Sequence, residues 1–391
     1  MQSFLKENTM DFSFSDEQRM FRETVYRYVK EEIAPLCEEA DLKGEFSFDV
    51  WRKMGEMGLL GLPIPEQYGG QGADIVTCCL AGEAVGHAGA DGGHTLAWGA
   101  HTYLCAANIM QHGTETQKKK YLPKLATGEW IGCMGLTEPG CGSDAAALTT
   151  TAVRKGDKYI LNGAKTFITN APLSEVFVVF ATLDKAQKHK GITTFIVEKG
   201  FPGISTGKPM HKMGCRASVT SEVFFEDCEV PVENCLGGEG LGWLIALGGV
   251  EWDRSTLLSP FLGGGLFMLE NCARYANQRW AFKRPIRDFQ SIQNRIADMK
   301  VYFEASRLAV YRVAASKDNG MALNPLYAGV SKVYMGDKGF EMSSAAVDLF
   351  GGYGYIHEYP VERGLRDAKL GQLGGGTSDI MRMIVARIMM M

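Results

Sequence analysis

The chain has 391 residues, enough for a sizeable core and more than one structural unit. Its 41 basic and 45 acidic side chains leave a net charge of −4, so no basic field draws it to nucleic acid or anionic lipid, and a small-molecule role is favoured. The 10 cysteines lie scattered without a C-x-x-C pair, which reads as reduced, packed thiols and no metal site; no apolar leader in MQSFLKENTM and no run of about 18 apolar residues argue against export or a membrane span and for a cytoplasmic location.

Ser15 and Gln18 stand at capping-box spacing, and Phe21, Val25 and Val29 follow at steps of four, which predicts an amphipathic helix that stops before Pro35. Gly-rich, apolar sequence continues from Met54 to about His112 without an internal repeat, so the first third is expected to be helical. After Glu138-Pro139-Gly140 the texture changes. TTTAVRKGDKYILNGAKTFITN carries β-branched runs punctuated by the turn formers Gly156-Asp157 and Asn162-Gly163, and EVFVVFATL, GITTFIVEKG and SEVFFEDCEV follow as strands. From about Gly240 the helical period returns. Phe289, Ile292, Ile296, Met299 and Phe303 lie on one helix face, closed by Asn319-Gly320. The expected order is an α-helical domain (1–130), a β domain (131–237) and an α-helical bundle (238–391), an α+β chain. Gly351-Gly352-x-Gly354 has no strand before it and no acidic residue at the right distance after it, which excludes a Rossmann-type dinucleotide site.

The stretches GLTEPGCGSDAAALTT (135–150), FITN (167–170), NQRWAF (277–282) and GGYGYIHEYPVERGLRDAKL (351–370) resemble the acyl-CoA dehydrogenases, in order and across essentially the whole chain. The resemblance implies an N-terminal helical domain, a central β domain and a C-terminal four-helix bundle with FAD held between them. It implies that Leu136, Thr137, Phe167 and Thr169 contact the flavin, and that Ser143 lies by phosphate or the CoA arm. Arg279, Phe282 and Gln290 then match residues that reach FAD in a neighbouring subunit, which makes a homotetramer the expected assembly; Gly351, Gly352, Thr377 and Asp379 belong to the same cofactor set. Lys283 departs from the pattern where Gly is usual, as do Asp348 and Asp379 where Gln is common. Glu251 and Arg254 in GVEWDRS match positions that hold pantetheine and the CoA phosphates. The implied partners are an acyl-CoA thioester and an electron-transferring flavoprotein as electron acceptor.

The segment GQLGGGTSDIMR (371–382) breaks the resemblance at one chemical point. The family usually carries a Glu base immediately before the Gly-Thr, and here that position is Gly375, which has no basic atom. Its N–H is still available to hydrogen-bond the thioester carbonyl, and Gly374 and Gly376 flank it in a segment expected to widen the acyl pocket. Two carboxylates can stand in. Asp253 matches the position from which some relatives supply the base, one methylene shorter than their Glu. Asp91, in EAVGHAGADGGHTLAWGAH, falls in the segment that floors the acyl pocket in the family; there, desolvation is expected to raise its pKa, while the bland alternative is an Asp-Gly turn. A base far from Cα suits a thioester already unsaturated at Cα–Cβ. The combination resembles the branch that acts on cyclohex-1-ene-1-carboxyl-CoA, implying 1,4-elimination to the cyclic 1,5-diene, with onward oxidation to benzoyl-CoA as an extension. Two alternatives stay open: ordinary α,β-dehydrogenation with Asp253 as base, and a non-catalytic flavin- or CoA-binding protein.

Overall fold

Ser15 starts the first helix as its sequence predicts: in the computed structural model its hydroxyl accepts the Gln18 N–H at 3.1 Å, and the Gln18 side chain accepts the Ser15 N–H at 3.2 Å. The structure describes residues 13–320 and 325–391, without the side chains of 249–253. Helix α1 (Asp16–Tyr28) does not run straight on to a stop at Pro35. A π-helical turn over Val29–Ile33 intervenes, and Pro35 sits in the first turn of α2 (Ala34–Lys43), where a residue without an N–H forfeits no helical bond. Helices α3 (Phe48–Glu56), α4 (Ile75–His87), α5 (Gly92–Gly99), α6 (Ala107–His112) and α7 (Glu115–Thr127) complete this helical part; a second π turn, Ala100–Ala106, joins α5 to α6.

The strands follow in the expected stretch: β1 (Gly132–Gly135), β2 (Thr151–Lys155), β3 (Lys158–Thr169), β4 (Val176–Thr182), β5 (Ile192–Glu198), β6 (Ile204–Thr206), β7 (Thr220–Pro231) and β8 (Cys235–Leu236). They form one sheet in the order β6-β7-β3-β2-β4-β5-β8, with β1 added parallel to β4. Gly156-Asp157 makes the turn read from the sequence, but Asn162-Gly163 does not: it lies inside β3. The pairing with β7 shifts register there, Gly163 takes φ +149°, and a Cβ would stand 2.5 Å from Thr150 Oγ1. A second register shift between Lys165 and Ile168 leaves Thr166 and Phe167 out of the ladder.

The C-terminal part contains α8 (Gly242–Asp253), α9 (Ser259–Gln278), the short hairpin β9–β10 (Trp280–Ala281, Arg284–Pro285), α10 (Gln290–Asp318), α11 (Pro325–Phe350), α12 (Val361–Ala368) and α13 (Ser378–Met390). The face of α10 read from the sequence is real, with Met299 and Phe303 buried, and Asn319 and the left-handed Gly320 close the helix. No helix among the described residues is long and apolar enough to cross a membrane.

Glycine lets α4 and α9 approach backbone to backbone. A Cβ on Gly82 would lie 2.0 Å from Ser259 Oγ, one on Gly86 1.9 Å from the Pro260 carbonyl, and one on Gly263 2.0 Å from the Glu83 carbonyl. Glu83 lies buried beside this contact and ties three helices together, accepting from Arg22 on α1 and from Arg307 and Tyr311 on α10. Gly86→Ala forces the two backbones apart and is expected to cost on the order of 1–3 kcal/mol, as overpacking does. Thermal unfolding of the two proteins side by side checks it; an unchanged melting temperature contradicts the close contact.

Candidate active site

A cavity of about 90 Å³ opens where α4, α9, α11 and α12 converge. Its walls are mostly small, with Gly86, Gly264, Gly336, Gly364 and Gly371 among them; Ala90, Gly92 and Thr95 line it from the start of α5, and Arg363 and Asp367 are its charged lining. Ala90 and Gly92 flank Asp91, which caps α5.

Asp91 is buried, 1% exposed, rather than standing in an open turn. One carboxylate oxygen accepts the His94 backbone N–H at 2.9 Å and the other lies 2.7 Å from His94 Nδ1. The expectation of a raised pKa is corrected here. Burial does push the carboxyl up, but His94, the Cys37 thiol and Arg363 together outweigh it and hold Asp91 below the usual carboxylate range. Asp367 shows the opposite balance. Burial drives its pKa up to about 7, against the Cys215 N–H that favours the anion, and nearby Asp41 and Asp91 push in the same direction as burial. Its two oxygens accept the Gly92 N–H at 3.1 Å and the Cys215 N–H at 2.5 Å. Thus two carboxylates from distant parts of the chain share the first turn of α5.

Sequence reasoning misses Asp367, because nothing in RDAKL marks it without the fold. His94 is one of three histidines in EAVGHAGADGGHTLAWGAH, and the residue types alone do not single it out. The position of His94 three residues after a capping Asp is the signal that could have identified it. His101, further along the same helical stretch, is a satisfied core histidine: Nδ1 accepts the Gly132 N–H at 3.0 Å and Nε2 lies 2.9 Å from the Leu125 carbonyl.

The residues expected at the flavin fall on two surfaces. On the first, a buried ion pair sets the geometry. Lys165 Nζ donates to Glu138 at 2.7 Å and to the Leu136 carbonyl at 3.2 Å. Burial opposes ionisation of Glu138, but Lys165 and the hydroxyl and amide donors of Thr149 and Thr150 hold its pKa down to about 2. The Thr166 N–H donates to the Thr137 carbonyl at 2.9 Å, so the segment of Leu136 and Thr137 lies directly against the β3 bulge. At that bulge Phe167 takes φ +59° and remains 69% exposed, an apolar ring turned away from its own sheet. Thr169 is half-buried at the strand end, where Asn170 Nδ2 donates to the Ala97 carbonyl of α5 at 2.8 Å. Ser143 is exposed in the turn before β2.

The second surface surrounds an open cavity of about 690 Å³ lined by Arg279, Phe282, Gly351 and Gly352, with Tyr275 and Tyr353. Phe282 and Lys283 both take positive φ, +49° and +65°, at the tip of the β9–β10 hairpin, a backbone that glycine adopts more easily than lysine. Gln290 starts α10 and is exposed beside this cavity, though Ser291 and Ile292 line it instead. An exposed aromatic ring, a guanidinium and backbone-rich glycine segments fit the apolar ring and the phosphates of a flavin dinucleotide. Thr377 accepts the Ile380 N–H as cap of α13, Asp379 pairs with Arg382, and Asp348 pairs with Arg295.

Gly374 and Gly375 are exposed just after the turn Lys369–Gln372, whose Gly371 lines the small cavity. A Cβ on Gly375 would meet nothing within 4 Å, although φ is +63°. Arg254 is buried; the side chains of Glu251 and Asp253 lie outside the described residues.

The sequence matches the family models of the acyl-CoA dehydrogenase N-terminal domain over residues 15–129, middle domain over 133–228 and C-terminal domain over 240–390. It is 40% identical to the short-chain-specific acyl-CoA dehydrogenase of Clostridium acetobutylicum, over 96% of this chain and 99% of that one. The fold superposes with TM-score 0.93 on butyryl-CoA dehydrogenase from Megasphaera elsdenii, at 38% identity over 98% and 100% of the two chains. A chain from the structure of the electron-transferring flavoprotein of Acidaminococcus fermentans gives TM-score 0.94 at 42% identity, over 97% and 99%.

The Asp367 carboxyl yields a prediction in pH. Its folded pKa lies near 7 and the unfolded value near 3.8, so the native state holds a proton that the unfolded chain has released, and stability falls as pH rises from about 4 to about 7. Asp367→Asn removes this titration. Its stability is expected to fall less than that of the unmodified protein between pH 4.5 and 7.5, whatever its absolute level; equal slopes in denaturant titrations at several pH values would contradict the raised pKa.

Proposed function

The chain belongs to the acyl-CoA dehydrogenase family, and from that premise we propose that it oxidises a cyclic acyl-CoA thioester by 1,4-elimination, converting cyclohex-1-ene-1-carboxyl-CoA to cyclohexa-1,5-diene-1-carboxyl-CoA. Its cofactor is FAD, which when bound supplies the acceptor for the substrate's hydride. The observation that carries the reading is Gly375. A family member without the usual base beside Cα needs a proton acceptor elsewhere, and a substrate whose acidic proton lies elsewhere.

Asp91 is the proposed acceptor. Its support is local: it is buried, its chain neighbours Ala90 and Gly92 both line the cavity, and its carboxylate is held as an anion. The acid proton of this substrate is at C3, conjugated through the C1=C2 bond to the thioester. Its loss to Asp91 moves the double bond to C2=C3 and places the electron pair on the thioester enolate. The Gly375 N–H is proposed to stabilise that oxygen. Departure of a hydride from C6 then forms the C1=C6 bond, and in the product's own numbering the two double bonds are C5=C6 and C1=C2. A proton and a hydride have left, so the balance closes. Further oxidation to benzoyl-CoA removes a second such pair.

The glycine-lined cavity favours a compact ring over a long chain. Glu251 and Arg254 are proposed for the CoA arm, and Ser143, Gly374 and Gly376 for the thioester end. Leu136, Thr137, Phe167 and Thr169 would hold the flavin ring. Arg279, Phe282, Gln290, Gly351 and Gly352 are proposed to bind the cofactor of a neighbouring copy in a homotetramer, with Thr377 and Asp379 nearby. Phe282 at 90% exposure and Trp280 at 61% are surfaces such an assembly would cover. Electrons are proposed to pass to an electron-transferring flavoprotein.

Asp91→Asn is expected to abolish diene formation, with a loss of at least a hundredfold, while flavin absorbance is retained. Asp253→Asn run beside it is expected to keep the reaction; the reverse pattern assigns the base to Asp253 and ordinary α,β-chemistry. A second experiment restores what Gly375 lacks. Gly375→Glu has open space for its side chain but must take a left-handed backbone, at about 1 kcal/mol. It is expected to add 1,2-elimination on cyclohexanecarboxyl-CoA, followed by anaerobic flavin bleaching; a flavin-loaded variant with no gain means that more than the missing carboxylate separates the two reactions.

A further inference from the structure

Next to the cavity-lining Ala90 and Gly92, buried side chains from separate elements meet: Cys37 of α2, Asp91, and His94 of α5. As a Cys-Asp-His set within 4.8 Å this has the ligand types of a metal centre. Hydrogen bonding gives it another use, because both ring nitrogens of His94 are taken. The Ser47 main-chain N–H donates to His94 Nε2 at 3.0 Å. An amide N–H can only donate, so Nε2 must present its lone pair and carries no proton. The ring proton is therefore on Nδ1, and Nδ1–H donates to Asp91 Oδ2 at 2.7 Å. The other Asp91 oxygen accepts the His94 main-chain N–H at 2.9 Å. One residue thus grips both oxygens of the carboxylate, and Phe46 packs on the ring with centroids 5.3 Å apart.

We propose that His94 is the positioning residue for Asp91: fixed by Ser47 as the Nδ1–H tautomer, it orients the carboxylate beside the cavity and keeps it unprotonated, ready to receive the substrate proton. This rests on Asp91 being the base. The lock also limits where the proton goes. With Nε2 engaged by an amide, His94 cannot carry the proton onward, so it stays on Asp91 after transfer.

The remaining groups around Asp91 act in both directions. Cys37 from α2 hydrogen-bonds to it, and Arg363 from α12 supplies positive charge that is shared with Asp367. Asp367, also from α12, adds negative charge and is itself faced by Asp41 from α2 and by Cys215 and Lys212 from the segment before β7. Without the His94 ring, burial and the acidic Asp367 are opposed only by Arg363, Cys37 and the main-chain N–H of residue 94, which moves the proton affinity of Asp91 upward.

The test is the pH dependence of diene formation by the flavin-loaded enzyme from pH 5.5 to 8. Unmodified enzyme is expected to show no acidic fall from Asp91 in this range. His94→Phe keeps a ring against Phe46 but removes the Nδ1–H, and its rate is expected to fall at least tenfold from pH 8 to 5.5 relative to the unmodified enzyme. His94→Asn, whose amide can occupy the place of Nδ1–H, should move the acidic limb back down. A His94→Phe profile parallel to that of the unmodified enzyme overturns the inference. Asp91→Asn in the same assay separates the two levels: if it still makes diene, the base assignment fails; if it is inactive while the His94→Phe profile is unmoved, only the role of His94 fails. Should His94→Phe not hold flavin, ¹⁵N NMR of ring-labelled unmodified holoenzyme decides, with His94→Asn identifying the resonance. A neutral Nδ1–H tautomer throughout supports the lock, and a doubly protonated ring or an Nε2–H tautomer overturns it.

Discussion

The backbone contact of α4 with α9 is the constraint on which the cavity depends. Side chains normally hold packed helix axes about 8–10 Å apart, and Gly82, Gly86 and Gly263 remove the atoms that would do so. The N-terminal helices therefore lie directly on the C-terminal bundle, and the space left at the end of α4 is small and lined mostly by glycine and other apolar residues. Glu83, buried at the same junction and gripped by Arg22, Arg307 and Tyr311, adds polar specificity to a contact that glycine alone would leave free to slide. The chain leaving α4 is held in place by this arrangement: Gly89 makes a left-handed bend, then Asp91 and the start of α5 stand at the cavity's edge.

At that edge, two carboxylates compete for one set of helix N–H groups. Asp91 accepts the His94 ring N–H and stays charged, while Asp367 accepts two amide N–H bonds and is pushed toward neutrality by burial and by Asp41 and Asp91. The asymmetry is physically reasonable, since two uncompensated charges in a space that excludes water would repel strongly. It also means that a base assigned here starts from a stabilised anion. That lowers its thermodynamic pull on a proton, and a substrate acidified by conjugation with a thioester is what such a base requires.

Much of the architecture is legible in the sequence. The capping box at Ser15, the period of α10 and the β-branched runs report local backbone preferences, and these survive tertiary packing. Pro35 misleads because a proline ends a helix only if the helix before it is continuous; the π turn at Val29–Ile33 makes the proline a beginning instead. Asn162-Gly163 misleads because its dipeptide is shared by turns and by strand bulges, and only the partner strand distinguishes them. At the site, Gly375 is readable as an absence within a matched segment. The sign of the Asp91 shift is not, since burial can be inferred from neighbouring Ala and Gly while Cys37 and Arg363 arrive from 54 residues before and 272 after it. Asp367 shows the same limit: its nearest partners, Gly92 and Cys215, are remote in sequence.

Phe167 is an aromatic residue at φ +59° on an unpaired stretch of strand, turned outward by a bulge. By the usual criteria of thermostability engineering it is the residue to replace: Asn or Gly would relax the backbone and remove an exposed ring. Such a substitution would take away the apolar face proposed to lie against the flavin while leaving the strand intact, so on that proposal a gain in melting temperature at this position comes at the expense of cofactor binding. Sequence-averaging approaches to a hardier catalyst should leave it as it stands.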